Sequence, residues 1–362
     1  MATISFARGA PAPECLPGEL LAECAAAALR RDPTTVLSYG TAPGYQPLRE
    51  WIGERHGVPA SRVLLTNGSL QGFVFLAEHF AAQGKLRVIV ESPTYDRPLL
   101  ILRKLGAEIV PLELDENGLD PDALERALDA GPEPAFLYTI PTFQNPSGLT
   151  LSTERRQRVA ELAAERNLLV LEDDPYGLIR FDGEPEPSLF SLDRAGVVAY
   201  SSSFSKTIAP GLRVGYFVLP EALESALEAA ASSTYISPVL LSQATVYEFV
   251  SQGNFEPNIE RSSGLLQARR DAMLRALDAT FPSEASWSRP DGGYFLWLEL
   301  PQGTSAAALL KAAEAVGVTF VKGTDFGGAE NTARLAFSFA SPDEIETGIE
   351  KLAGLLPAAA AA

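Results

Sequence analysis

Histidine and cysteine are nearly missing from this sequence, with two of each in 362 residues. Histidine-based metal sites and Ser-His-Asp catalysis are therefore close to excluded, since His56 and His79 are the whole supply of imidazole. His79, in Ala77-Glu-His-Phe80, reads as a helix residue without a catalytic role. Cys15 and Cys24 form neither a disulfide framework nor a zinc-ligand spacing, and they suit a reducing cytoplasm. Positive charge is scarce too. Lys and Arg number 29 against 46 Asp and Glu, for a formal net charge of −17. A chain this acidic lacks the basic footprint that nucleic acid or an anionic membrane surface requires. No apolar run approaches the ~20 residues of a membrane span. Met1-Ala-Thr-Ile-Ser-Phe6 has neither the basic flank nor the apolar core of a signal peptide. We expect a cytoplasmic protein, with no nucleic-acid or membrane partner and no metal. Lysine, carboxylates, tyrosines or a cofactor are left to do any chemistry.

What is present is a globular composition, 46% hydrophobic and 21% charged, long enough for one large domain and a smaller one. The most informative stretch is Ser201-Ser-Ser-Phe-Ser-Lys206-Thr-Ile-Ala-Pro-Gly-Leu-Arg213. Val197-Val-Ala-Tyr200 before it and Val214-Gly-Tyr-Phe-Val-Leu219 after it read as buried strands. The lysine is thus expected on a loop between two rigid elements, where functional groups concentrate. Hydroxyls, an arginine and backbone amides suit a phosphate. A lysine beside a bound phosphate suggests an amine that holds a phosphorylated carbonyl cofactor. The competing reading is an ordinary solvated loop lysine.

Other candidate stretches share one placement. Arg62-Val-Leu-Leu-Thr66, Arg87-Val-Ile-Val90, Ala135-Phe-Leu-Tyr-Thr-Ile140 and Leu168-Leu-Val-Leu171 read as strands. Each is followed by polar or turn residues: Asn67-Gly-Ser69, Glu91-Ser-Pro-Thr-Tyr95, Asn145-Pro-Ser-Gly148 and Glu172-Asp-Asp-Pro-Tyr176. The turn at Gly68 precedes a helix whose apolar face is Leu70, Phe73, Val74, Ala77 and Phe80, so free backbone N–H groups fall where an anion can sit. Strands alternating with helices from about residue 60 to 220 predict a mostly parallel sheet, and ligands in such folds bind at the carboxyl ends of strands. The three consecutive carboxylates also admit a metal reading or simple solvation. Residues after Pro357 read as a disordered alanine-rich tail.

The lysine stretch resembles the cofactor-lysine motif of the fold-type I aminotransferases of class I/II that use pyridoxal 5'-phosphate. The similar branch includes 2-aminoadipate aminotransferases and the aminotransferase-like domains of certain bacterial regulators. The resemblance runs from Gly9 to Arg334 with the motifs in family order. It implies an α/β fold: a large domain with a mostly parallel, seven-stranded-type sheet, plus a smaller α+β domain built from both termini. We place the large cofactor-binding domain at 40–252, and the arm plus small domain at 1–39 and 253–362.

The resemblance also implies roles. Lys206 forms the Schiff base and shuttles the proton. Asp173 pairs with the ring nitrogen, with Asp174 outside that pair, and Tyr176 and Asn145 bond the phenolic oxygen. Tyr95 stacks on the ring. Gly68, Ser69, Leu70, Ser203, Ser205 and Arg213 hold the phosphate, although Leu70 stands where the family usually has glutamine. Tyr39 reaches the phosphate of the other subunit, which implies a homodimer with shared sites. Arg334 and Asn145 bind the substrate carboxylate, and Gly9 lies on an arm that closes over it. Arg8 replaces the small residue expected beside that glycine and is a candidate substrate contact. Phe143, Tyr235, Ile236 and Tyr294 are candidates for an apolar substrate pocket. The activity implied is ping-pong transfer of an amino group between an L-amino acid and a 2-oxo acid. Racemase, β-lyase or decarboxylase chemistry could use the same site. A ligand-sensing domain is a remoter reading, since the arm motif begins at Ile4 and the charge is acidic.

Overall fold

The computed structural model describes residues 3–360. Its main sheet runs, edge to edge, Val63–Thr66, Gly215–Val218, Val198–Ser203, Val170–Asp173, Phe136–Thr139, Arg87–Ser92 and Glu108–Asp115, with the two-residue strand Gly118–Leu119 appended. Of those seven strands only Gly215–Val218 runs against the others, since it is antiparallel to both neighbours. The fold class expected from the sequence is the one observed.

The absence of alternation in the central strands has a direct cause. Val88 and Val90 feed one apolar cluster while Ile89 between them feeds another. Phe136 and Tyr138 flank Leu137 in the same way. Adjacent side chains point to opposite faces, and helices cover both faces, so every position is apolar. Helices Ser69–Ala82, Asp96–Lys104 and Glu221–Tyr235 cover one side; Pro121–Asp129 and Thr153–Glu165 supply the cluster opposite.

A second sheet of four antiparallel strands, Ser286–Trp287, Phe295–Glu299, Thr332–Ala336 and Val321–Lys322, packs with helices Phe255–Thr280, Ala306–Ala315 and Pro342–Ala360. The first strand, Ile4–Ser5, pairs in parallel with Val318–Thr319, and Ile4 and Phe6 join this core. Helix Gly18–Arg31 behaves differently. It lies against Leu240–Ser251, and its Cys24 and Ala28 join a cluster on the main sheet. Residues 4–12 thus pack with the small domain and residues 18–36 with the large one.

Two local readings change. The strand after Val197 continues through Ser203, so Ser201, Ser202 and Ser203 are strand residues and not loop residues. Ladder bonds to Val170–Asp173 and Gly215–Val218 on either side account for the extension. The alanine-rich end is helical as far as Ala360, because Leu352, Leu356 and Ala359 bury one face in the small-domain core. From Arg87–Ser92 the chain moves to Glu108–Asp115 on one side, then returns to Phe136–Thr139 on the other. That reversal opens a crevice at the carboxyl ends of the strands.

Candidate active site

A cavity of about 600 Å³ occupies this crevice, between the main sheet and the small domain. It gathers Gly9, Gly68, Ser69, Leu70, Tyr95, Asn145, Asp173, Tyr176, Ser203, Ser205, Lys206, Arg213 and Arg334 from segments that span the chain. Two expected site residues are not brought to it. Tyr39 is 86% exposed and lies outside the cavity of its own chain. Arg8 turns away: its guanidinium stacks 4.3 Å from the centre of the Phe339 ring, while Ala7 and Gly9 face the cavity. The Ala10 amide donates back to the Arg8 carbonyl at 2.9 Å, so the chain turns at Gly9 while the Arg8 side chain points away from the cavity.

Lys206 sits on the turn after Ser203, half-buried, with Nζ donating to the Gly9 carbonyl at 2.7 Å. Tyr294 Oη donates to the Lys206 carbonyl and fixes that turn from the small domain. Burial, then the positive charges of Arg334 and Arg213, lower the Lys206 pKa to about 8. Desolvation and like charge both favour the neutral amine.

The consecutive carboxylates part company because strand residues alternate. Glu172 points to the opposite face and accepts from the backbone N–H groups of Leu189 and Phe190 at 3.0 and 2.8 Å. Asp174 accepts from Tyr200 Oη and the Gly177 amide, both at 2.8 Å. Asp173 alone faces the cavity. Its oxygens accept from Tyr138 Oη at 2.8 Å and Ser201 Oγ at 3.2 Å. Burial raises its pKa to about 6, against the lowering effect of those two hydroxyls. No cation lies within ion-pair distance of Asp173 among the described residues. Sequence reasoning missed Tyr138 and Ser201. Tyr138 lies in a strand that reads as core, and Ser201 has the period-two relation to Ser203 that could have found it.

Arg334 is buried between two rings, 4.2 Å from the centroid of Phe295 and 4.8 Å from that of Phe326. Nη1 donates to Asn145 Oδ1 at 3.1 Å and Nη2 to the Ala7 carbonyl at 2.8 Å, while Nε is buried without a partner. Opposite, Gly68 is left-handed (φ 92°), and a Cβ there would meet Arg213 Nη2 at 2.1 Å. Arg213 is also left-handed (φ 54°) and donates to the carbonyls of Asn67 and Pro210 over 3.3 Å each. A Cβ on Gly215 would lie 2.2 Å from the Ser69 nitrogen, so the missing side chain lets the N-terminus of helix Ser69–Ala82 settle beside the guanidinium.

These features fit the cofactor that the resemblance implies. A helix N-terminus, Arg213 and the hydroxyls of Ser69, Ser203 and Ser205 form an anion cradle at one end. A desolvated carboxylate without a cation suits a protonated ring nitrogen. A desolvated amine with a lowered pKa suits an aldehyde.

The expected apolar pocket has other walls than the sequence suggests. Phe143, Tyr235, Ile236 and Tyr294 do not line the cavity. Phe143 packs under Arg180, Tyr235 donates to backbone carbonyls of Ala42 and Leu65, and Ile236 is exposed. Tyr95, Ile140, Phe295, Val321 and Phe326 supply the apolar wall instead.

The family described as aminotransferase class I and II matches residues 13–352 of this chain. A 2-aminoadipate transaminase of Thermus thermophilus is 40% identical over 96% of this chain and 89% of its own length. An aromatic-amino-acid aminotransferase of Thermococcus litoralis is 36% identical over 97% and 87%. The solved structure of the alpha-aminoadipate aminotransferase LysN from T. thermophilus, complexed with N-(5'-phosphopyridoxyl)-L-leucine, superposes with a TM-score of 0.93 at 38% identity, covering 99% of this chain and 93% of that one.

Proposed function

The chain belongs to the class I and II aminotransferases and is a pyridoxal-phosphate enzyme that moves an amino group between an amino acid and a 2-oxo acid; on that premise we propose that Lys206 is its central group. The observation that carries this is the Lys206 amine, held on the Gly9 carbonyl in one cavity with Asp173 and Arg334. Bound there, pyridoxal phosphate supplies an aldehyde for the amino group and a ring that withdraws electrons from the substrate Cα. Lys206 Nζ would be the amine that holds the cofactor through its aldehyde, and once freed by the substrate amine it would be the base that takes the proton from Cα. Its lowered pKa supplies the neutral amine this needs near neutral pH. Asp173 would face the ring nitrogen and keep it protonated. Tyr176 and the Asn145 amide would donate to the phenolic oxygen, and Tyr95 would pack on the ring. Gly68, Ser69, Leu70, Ser203, Ser205 and Arg213 would hold the phosphate. Arg334 orients the α-carboxylate, with its unpartnered Nε as a ready donor.

The aromatic and aliphatic wall supports acceptance of large apolar side chains. Asp96 and Asp325 also line the cavity, but each pairs with a cation, Arg97 at 3.5 Å and Lys322 at 2.8 Å, and Arg97 shares the lining, so the charge there is mixed. Tyr39, exposed and outside its own cavity, supports a homodimer in which it completes the partner's phosphate site. No described helix is long and apolar enough to cross a membrane. A cytoplasmic setting is supported by the free, buried Cys15 and Cys24.

An absorption spectrum tests the assignment. The parent protein with pyridoxal phosphate should show a visible band that an amino acid alone converts to a near-ultraviolet one, releasing one equivalent of oxo acid. Lys206→Ala should lack the band. The rate at which the apoprotein captures pyridoxal phosphate should fall as pH drops through about 8, because the ammonium form cannot attack the aldehyde. A midpoint near the ordinary lysine value of ~10.4 would contradict a desolvated neutral amine.

A further inference from the structure

Residues 7–11 form a short span tied at both ends. Phe6 donates its amide to the Thr319 carbonyl and accepts from the Ala336 amide, at 2.7 and 2.8 Å. Ala12 is fully buried and donates to the Ser338 carbonyl at 3.1 Å. Between these anchors Ala7 and Gly9 line the cavity. The Gly9 carbonyl takes the Lys206 amine and the Ala7 carbonyl takes Nη2 of Arg334. Gly9 can lie flat there because a Cβ would be 2.6 Å from the Phe295 ring.

Those two contacts use the donors that cofactor and substrate need. Once ligands claim them, the span is still held by Ser338 and by Arg8. Ser338 Oγ lies 2.9 Å from the Ala10 carbonyl and 3.4 Å from the Arg8 carbonyl, and the Arg8 guanidinium rests on Phe339. Arg8 has no carboxylate within ion-pair distance among the described residues, so the ring face is its main partner. A guanidinium stacked on an aromatic ring is favourable, and more so when partly desolvated.

We infer that Arg8, stacked on Phe339, is a latch that holds residues 7–10 over the Lys206 amine and the Arg334 guanidinium, so that ligands enter only when the latch opens. This rests on the reading of Lys206 as the cofactor amine. Arg8 is then a positioning residue whose effect reaches the site through the carbonyls of Ala7 and Gly9. When the competent form is a minor fraction, the apparent capture rate scales with that fraction. Loosening the latch should therefore raise arm exchange and cofactor entry by a common factor.

The test measures amide exchange and cofactor capture on the apoprotein of the parent, Arg8→Gly, Arg8→Lys and Phe339→Leu. In Arg8→Gly the amides of Ala10 and Ala12 should exchange about two- to fivefold faster, the range of one exposed cation–π contact. Capture of pyridoxal phosphate, followed by absorbance, should accelerate by the same factor. Phe339→Leu, which keeps apolar bulk without the ring, should match it, and Arg8→Lys should fall between. Amides in the strand Val198–Ser203 should be unchanged. Parent-like exchange at Ala10 and Ala12 overturns the latch. Faster exchange without faster capture overturns its gating role. Faster exchange in the central strand as well assigns Arg8 to general stability and overturns it too. If the parent captures no pyridoxal phosphate, the cofactor reading fails, and exchange alone still decides whether Arg8 holds the span.

Discussion

At the scale of the residue, the site depends on a carboxylate kept in an unfavourable place. Asp173 is half-buried and has no cation beside it, and desolvation raises its pKa to about 6 although two hydroxyl donors act to lower it. A protonated ring nitrogen would relieve that cost, so the same desolvation that strains the apoprotein strengthens cofactor binding. Tyr138 then has a role beyond packing. Its hydrogen bond favours the ionised form, and a bond to a charged group is worth about 1.5–3 kcal/mol. Removing it in Tyr138→Phe should raise the Asp173 pKa by about one unit or more. The carboxylate would then protonate at a higher pH, and pyridoxal phosphate affinity would start to fall at a correspondingly higher pH. Titrating the dissociation constant from pH 5 to 8 in parent and variant checks this. Coincident profiles would show that Tyr138 does not tune Asp173. The sequence hid this residue because Phe136-Leu-Tyr138 reads as plain core, and its hydroxyl gains meaning only from the neighbouring strand.

At the scale of the element, the phosphate cradle depends on how closely a strand and a helix approach. The Asn67-Gly68-Ser69 turn was legible in the sequence, since glycine before a helical apolar face marks a helix start. The requirement at Gly215 was not, because it arises from a contact nearly 150 positions away in the chain. A methyl group there would strike the backbone of Ser69 and Gly68, which cannot swing aside as a flexible side chain can. Overpacking of this kind costs about 1–3 kcal/mol. In Gly215→Ala the helix N-terminus must withdraw, so affinity for pyridoxal phosphate should weaken by about tenfold or more. Gly211→Ala is the control, since a Cβ there meets nothing within 4 Å. Equal affinities in the two variants would remove Gly215 from the account of the cradle.

At the scale of the whole molecule, the four most exposed large apolar residues among those described lie on two segments that meet. Leu37 and Tyr39 are 69% and 86% exposed, and Ile236 and Val239 are 59% and 53% exposed. Gly40 packs against Leu240, which brings the two segments together. A homodimer that covers them would place Tyr39 in the partner's site. Mixed protomers test this. Lys206→Ala and Tyr39→Ala are each expected to be poorly active alone. After unfolding and refolding together, a heterodimer contains one site with both residues intact. Random pairing then restores roughly a quarter of parent activity. A mixture no better than its components would sink the shared-site reading.

The sequence by itself determined the family and the order of strands and helices in the large domain, and it singled out Lys206. Those follow from local matters: runs of apolar residues, turn residues at fixed offsets, and motifs whose spacing survives without knowledge of distant partners. Only the tertiary structure decided which of three adjacent carboxylates faces the cavity, that Ser201 and Tyr138 serve it, and that Arg8 points away from it. Each of these depends on which face of a strand or extended segment a side chain occupies and on what lies across from it. Both are fixed by pairing between segments far apart in the chain.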